Sequence, residues 1–197
     1  MLTQLFTLGL LMLLATILPG PDFVVVTKNT LSQSRRAGLF TCLGTCFGTL
    51  VHITYCILGL AILISQSRLA FNLIKYAGGA YLIYLGITAL LARRKNLTTA
   101  ANSPHQTKTL SDVAAFRQGF FCNLLNPKAS LFYLAIFTVM IKPETPVSWE
   151  IILGAEMFCI QLVWFTTLTF ILSHPAVYKV LNQAEYYIAK TLGVFLI

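Results

Sequence analysis

Residues 37–64 carry no formal charge. A run of that length is enough to cross the hydrocarbon core of a bilayer with tilt, since about 20 apolar residues suffice. The rest of the chain has the same character. Apolar residues make up 57%, charged residues only 10%, and the mean hydropathy is +0.77. An ordinary soluble domain carries roughly a quarter charged residues, so a soluble globular enzyme is excluded. Disorder is excluded too, because it needs low hydrophobicity and high charge. The expected class is an all-α integral membrane protein, and the 197 residues accommodate about six spans with short loops.

A pass along the chain places those spans. The first apolar run, 3–27, lacks the basic leader of a secretory signal peptide and reads as a retained first span, interrupted at Pro19-Gly20-Pro21-Asp22. The second covers 37–64 and the third 70–92, with Lys75 near its start. A fourth at 114–141 is interrupted at Asn126-Pro127-Lys128, and a fifth at 148–173 has Glu150 and Glu156 near its start. Residues 184–197 begin a sixth that is too short to cross unaided, which implies a truncated sequence or a partial last helix. The expected organisation is a first three-helix half at 1–92, a cytoplasmic loop at 93–113 and a second half at 114–197.

The net charge is +8. In a soluble protein that balance points to nucleic acid; here the basic residues fall between apolar runs, so they set topology and no nucleic-acid partner is expected. With the N-terminus outside, the inner loops hold Lys28, Arg35, Arg36, Arg93, Arg94, Lys95, Lys108, Arg117 and Lys179. The outer loops hold only Arg68, Lys75 and Lys142. That asymmetry favours an outside N-terminus.

The two interruptions carry the functional signal. Proline inside a span removes a backbone hydrogen bond and clashes with the preceding turn. In lipid the freed groups must face protein or a water-filled cavity. Three spans per half is an odd number, so the second half inserts inverted. Broken helices at matching positions of inverted halves mark a transporter's site. The breaks share a frame, with Gly20-Pro21-Asp22 matching Asn126-Pro127-Lys128. Gly and Asn serve as N-caps, and Pro suits the first helical position. Each break therefore starts a new half-helix that offers free amides and a positive dipole end.

Asp22 and Lys128 both look embedded, about 9 Å along a helix from Lys28 and about 16 Å from Arg117, toward the cytoplasmic half. Asp22 reads either as a first-turn acid complementing a dipole or as a ligand. Lys128 reads as a snorkelling side chain, as a structural partner of Asp22, or as a ligand. In the ligand reading, Lys128 and the half-helix N-termini hold a carboxylate, while Asp22 holds an ammonium group or a coupling proton. Direct Asp22–Lys128 pairing is the sharper expectation for the unloaded carrier.

Other residues compete for attention. Asn123 lies on the same face as Asn126 and ranks first among candidate cavity residues, ahead of Gln118, Gln161, Trp164 and Tyr81. His52 reads as a buried hydrogen-bonded side chain or as a proton relay. Glu156 reads as interfacial in preference to coupling. Cys42 and Cys46 share a helix face and read as packing residues ahead of a thiol relay, and the odd cysteine count gives no disulfide framework. Gly44 and Gly48, with Gly78, Gly79 and Gly86, suit close packing, either within the monomer or in a homodimer. No His or Cys spacing suggests a metal site, and no cofactor is implied.

The run Leu18-Pro19-Gly20-Pro21-Asp22-Phe23, followed by Arg35-Arg36-Ala37-Gly38-Leu39, resembles the opening of the LysE/RhtB family of amino-acid exporters. The stretches 44–48, 75–82, 116–120 and 123–129 follow in the family's order. The resemblance is greatest to the homoserine and threonine branch. It implies a bacterial inner-membrane carrier that exports small amino acids, driven by the proton gradient; the outside N-terminus read from the loop charges is then periplasmic. It also implies that Pro19 to Asp22 and Asn126 to Lys128 are signature segments. The site expected is Asp22, Lys128, Asn126, Asn123 and Gly20, framed by Pro19, Pro21 and Pro127. A membrane thiol–disulfide relay and a non-transporting scaffold are the alternatives.

Overall fold

The computed structural model describes residues 2–90, 110–142 and 144–173. The expected sixth span and most of the central loop lie outside the described residues, with Arg93, Arg94, Lys95, Lys108 and Lys179. The described residues form seven helices and no strand: α1 (Leu2–Ile17), α2 (Pro21–Ser32), α3 (Arg35–Gln66), α4 (Arg68–Leu90), α5 (Asp112–Leu124), α6 (Pro127–Met140) and α7 (Val147–Leu172). Among them α3, over Arg35–Gly59, and α7 are each long and apolar enough to cross a membrane alone. The pairs α1/α2 and α5/α6 each pass the same test as one bent unit, giving up to four crossings. The expected third span is helical as α4 but does not meet that test among the described residues.

Both breaks form where the prolines fall. Helix α1 runs out at Ile17, and the Leu18 amide still bonds the Leu14 carbonyl at 3.1 Å. Pro19 has no N–H to continue the ladder. Gly20 is extended and caps α2, and Pro21 is its first residue. In the second break Asn126 is the cap, its side-chain oxygen accepting from the Lys128 amide at 3.0 Å, and Pro127 opens α6. The bends are 56° and 57°.

The two bent pairs lie side by side and run in opposite directions. Gln4 at the start of α1 donates to the Met140 carbonyl at the end of α6, while the Leu18 carbonyl beyond α1 meets Lys128 at the start of α6. Asp22 at the start of α2 meets Asn123 at the end of α5, and Asn29 further along α2 meets Gln118 earlier in α5. The two breaks are therefore neighbours. Helix lengths of about 18–20 Å on the side of α2 and α5 and 21–24 Å on the side of α1 and α6 put them slightly nearer the end that holds Lys28 and Arg117.

Glycines set the closest helix contact. A Cβ on Gly44 would strike the Phe116 carbonyl and the Phe120 amide, and one on Gly119 would strike the Thr41 carbonyl. Helices α3 and α5 thus touch backbone to backbone, running parallel from the Arg36–Asp112 ion pair at their shared end. Gly44 and Gly48 face α5 of their own chain, so the intramolecular reading holds for them. Gly78 packs on Ala135 of α6, whereas Gly79 faces open space.

Two apolar clusters fill the interior. One gathers Leu8, Met12, Ile53, Phe132, Ile136 and Met157. The other gathers Phe23, Val26, Cys42, Cys46, Phe165 and Leu168. The breaks lie between them.

Candidate functional site

A cavity of about 50 Å³ opens where the breaks meet, drawing its walls from both apolar clusters. That is room for a few water molecules. Gly20, Asp22, Asn123, Asn126 and Lys128 all line it. Two short segments about a hundred residues apart in the chain thus line one cavity. The flanking prolines Pro19, Pro21 and Pro127 shape the turns and are not part of the lining.

The charges are present but not joined. Asp22 Oδ2 accepts from Asn123 Nδ2 at 2.8 Å, and Asp22 Oδ1 is buried with no hydrogen-bond partner. Lys128 Nζ donates one long bond, 3.4 Å, to the Leu18 carbonyl. The ion pair expected between them is not formed, since the one described salt bridge is Arg36–Asp112. A cation at a helix N-terminus is disfavoured. The Lys128 side chain therefore passes over Gly20, where a Cβ would lie 3.2 Å from Nζ, and reaches the negative carbonyl end of α1.

Each half-helix start offers something different. Gly20 gives no side-chain cap, so the first amides of α2 keep free donors. On α6 the Asn126 side chain already occupies the Lys128 amide. The site thus holds an ammonium with unused donor capacity, a carboxylate oxygen with unused acceptor capacity, and an open helix N-terminus. That set suits a molecule carrying both charges.

Asn123 is held from two sides. Its amide fits against Gly48, where a Cβ would lie 2.6 Å from Asn123 Oδ1. Its backbone carbonyl accepts from His52 Nε2 at 3.0 Å. A carbonyl only accepts, so Nε2 carries a proton, and Nδ1 lies 2.9 Å from the Tyr55 hydroxyl. His52 is buried, bonds no acid, and stacks on Tyr133 with centroids 5.4 Å apart. The buried hydrogen-bonded reading therefore describes it.

Of the other expected cavity residues, only Gln161 lines it. Gln118 accepts from Asn29 at 3.0 Å, tying α5 to α2. Tyr81 donates to the Lys128 carbonyl at 3.3 Å from behind the break. Trp164 has a buried indole N–H with no described partner but is not in the lining. All three were placed on polarity alone, and helix rotation turned them elsewhere. Glu156 is not at a helix end: it lies about 14 Å into α7, with Oε1 beside Gly9 of α1. The cysteines are free, and Cys42 Sγ lies 3.7 Å from the Thr166 hydroxyl. Thr49 and Tyr133 escaped sequence reasoning, because a hydroxyl in an apolar helix looks the same whether it faces a site or bonds its own backbone.

A family model described as LysE type translocator matches residues 13–197. The chain is 31% identical over 188 residues to the uncharacterized membrane protein YrhP of Bacillus subtilis, covering 92% of this chain and 89% of that protein. It is 30% identical over 178 residues to the uncharacterized membrane protein YahN of Escherichia coli, covering 90% and 78%. A threonine efflux protein of Salmonella typhi is 29% identical over 175 residues, covering 89% and 84%. No solved structure matches. Apolar crossing helices broken at two matching prolines, and a family model that spans nearly the whole chain, lead to one assignment: the protein is a multi-pass membrane protein of the LysE type translocator family.

Proposed function

We propose that the protein exports small amino acids across the bacterial inner membrane, in exchange for protons, by alternating access around the cavity at the two breaks. The observation that carries this reading is the pair of opposite charges, Asp22 and Lys128, lining one small cavity without bonding each other. A zwitterion would complete both: its carboxylate on Lys128 and the α2 amides, its ammonium on Asp22. The relatives named threonine efflux proteins support the substrate class.

The antiparallel course of the two bent pairs supports a six-helix inverted repeat of three plus three. Rocking of one half against the other would then expose the site to each side in turn. An Asp22 carboxyl with one uncommitted oxygen is the group we assign to the coupling proton. Lys28, Arg35, Arg36 and Arg117 gather toward the end where α2 finishes and α3 and α5 begin, which supports a cytoplasmic placement of that end and a periplasmic N-terminus.

The test is efflux of labelled small amino acids from loaded proteoliposomes, with and without an imposed proton gradient. Efflux above protein-free vesicles, accelerated by an acidic exterior, is expected. No acceleration removes proton coupling, and no efflux of any small amino acid removes the exporter reading.

A further inference from the structure

Gln161 sits on α7, outside the two broken helix pairs, and only 2% of its surface is exposed. Its Oε1 accepts from the Thr49 hydroxyl at 2.8 Å and from the Tyr133 hydroxyl at 2.8 Å. The two hydroxyls lie 3.0 Å from each other. Three helices, α3, α6 and α7, thus meet at one oxygen and fix the plane of the amide. The other end of that amide, Nε2, is buried and has no hydrogen-bond partner. Gln161 is a lining residue of the cavity, among the apolar side chains of Met12, Phe132 and Phe165.

A buried amide nitrogen with no partner carries a desolvation cost, and this one belongs to a side chain that lines the cavity. We propose that Gln161 is the specificity-determining residue of the site: its fixed amide bonds an oxygen on the side chain of the transported amino acid, so the carrier prefers a small hydroxyl-bearing amino acid over its apolar isostere. This rests on the exporter reading above and adds to it. The charged groups at the breaks hold what all amino acids share. Gln161 reads what differs, and the apolar neighbours and small volume exclude long side chains. A site built to bond a hydroxyl discriminates strongly against the analogue that lacks it, because the site's own polar group is then left without a partner.

Threonine and valine are near-isosteres that differ in a hydroxyl, so they are the probes. Their efflux is measured together from the same proteoliposomes, and the ratio of rates does not depend on how much protein is correctly folded. In the unaltered protein, threonine should exceed valine by at least about tenfold, equivalent to about 1.4 kcal/mol of discrimination. Gln161→Leu should bring the ratio to near one. Thr49→Val leaves Gln161 in place but removes one of its two anchors, and should lower the ratio by a smaller factor. It also serves if Gln161→Leu does not insert. Equal efflux of threonine and valine by the unaltered protein would overturn the role of Gln161 while leaving the exporter reading intact. So would an unchanged ratio in either variant. Efflux of neither by the unaltered protein, when other small amino acids do pass, would overturn it as well. Failure to export any amino acid would remove the exporter reading and the role of Gln161 together.

Discussion

At the scale of single residues, the site depends on charges that stay apart. Asp22 and Lys128 line one cavity without bonding each other, so each has capacity to spare for a ligand. Asp22→Asn and Lys128→Met should each lower efflux at least tenfold while the protein still inserts, read as transport beside quantitative immunoblotting of the membrane fraction. Retained efflux in both would return them to the structural roles that the sequence left open. Gly48 supports the same site indirectly. A Cβ there would fall 2.6 Å from Asn123 Oδ1 and 2.9 Å from Asn123 Cβ, pushing the amide off Asp22. Gly48→Ala should therefore depress transport severalfold, whereas Gly59→Ala, which meets nothing within 4 Å, should be silent. Charge scarcity made Asp22 and Lys128 visible in the sequence. Gly48 was visible only as a small residue suited to packing, and which side chain it accommodates depends on the register of α3 against α5.

At the scale of elements, the two breaks use the same frame with different chemistry. Pro21 and Pro127 each open a helix, yet only Asn126 supplies a side-chain cap. Replacing such a cap with alanine costs about 1 kcal/mol. Asn126→Ala should therefore lower the thermal midpoint of the detergent-solubilised protein by a few degrees, and Asn126→Asp should recover most of the loss. Equal midpoints for all three would mean that tertiary packing alone holds the start of α6. These local features were fully legible beforehand. Capping and proline geometry depend on a handful of adjacent residues, so the sequence reports them directly.

At the scale of the whole molecule, the helices sort into two ends. The end of α2 and the starts of α3 and α5 share one, and the starts of α1 and α7 share the other with the end of α6. A cysteine introduced at Arg35 should react with a membrane-impermeant thiol reagent only from the cytoplasmic side, and one at Thr145 only from outside. The background for that measurement is a protein with Cys42, Cys46, Cys56, Cys122 and Cys159 all changed to serine or alanine. It should keep its transport, since the described cysteines are free and mostly packed in the core. Loss of transport in that background, with insertion intact, would revive the thiol-relay alternative. The exposed Arg36–Asp112 pair lies in high dielectric and contributes little to stability, so Arg36→Gln should change the thermal midpoint hardly at all.

The sequence alone determined the membrane class, the two breaks, their caps and the shared frame that singled out Asp22 and Lys128. All of these follow from composition or from residues adjacent in the chain. The tertiary structure decided that the breaks are neighbours, that Lys128 reaches the Leu18 carbonyl in place of Asp22, and that Gln161 faces the cavity while Gln118, Tyr81 and Trp164 do not. Those outcomes turn on how each helix is rotated and where it sits along its neighbours. Backbone contact at Gly44 and Gly119 sets that register for α3 and α5. An apolar helix carries little periodic pattern from which to read its rotation, because lipid and protein interior are alike in polarity.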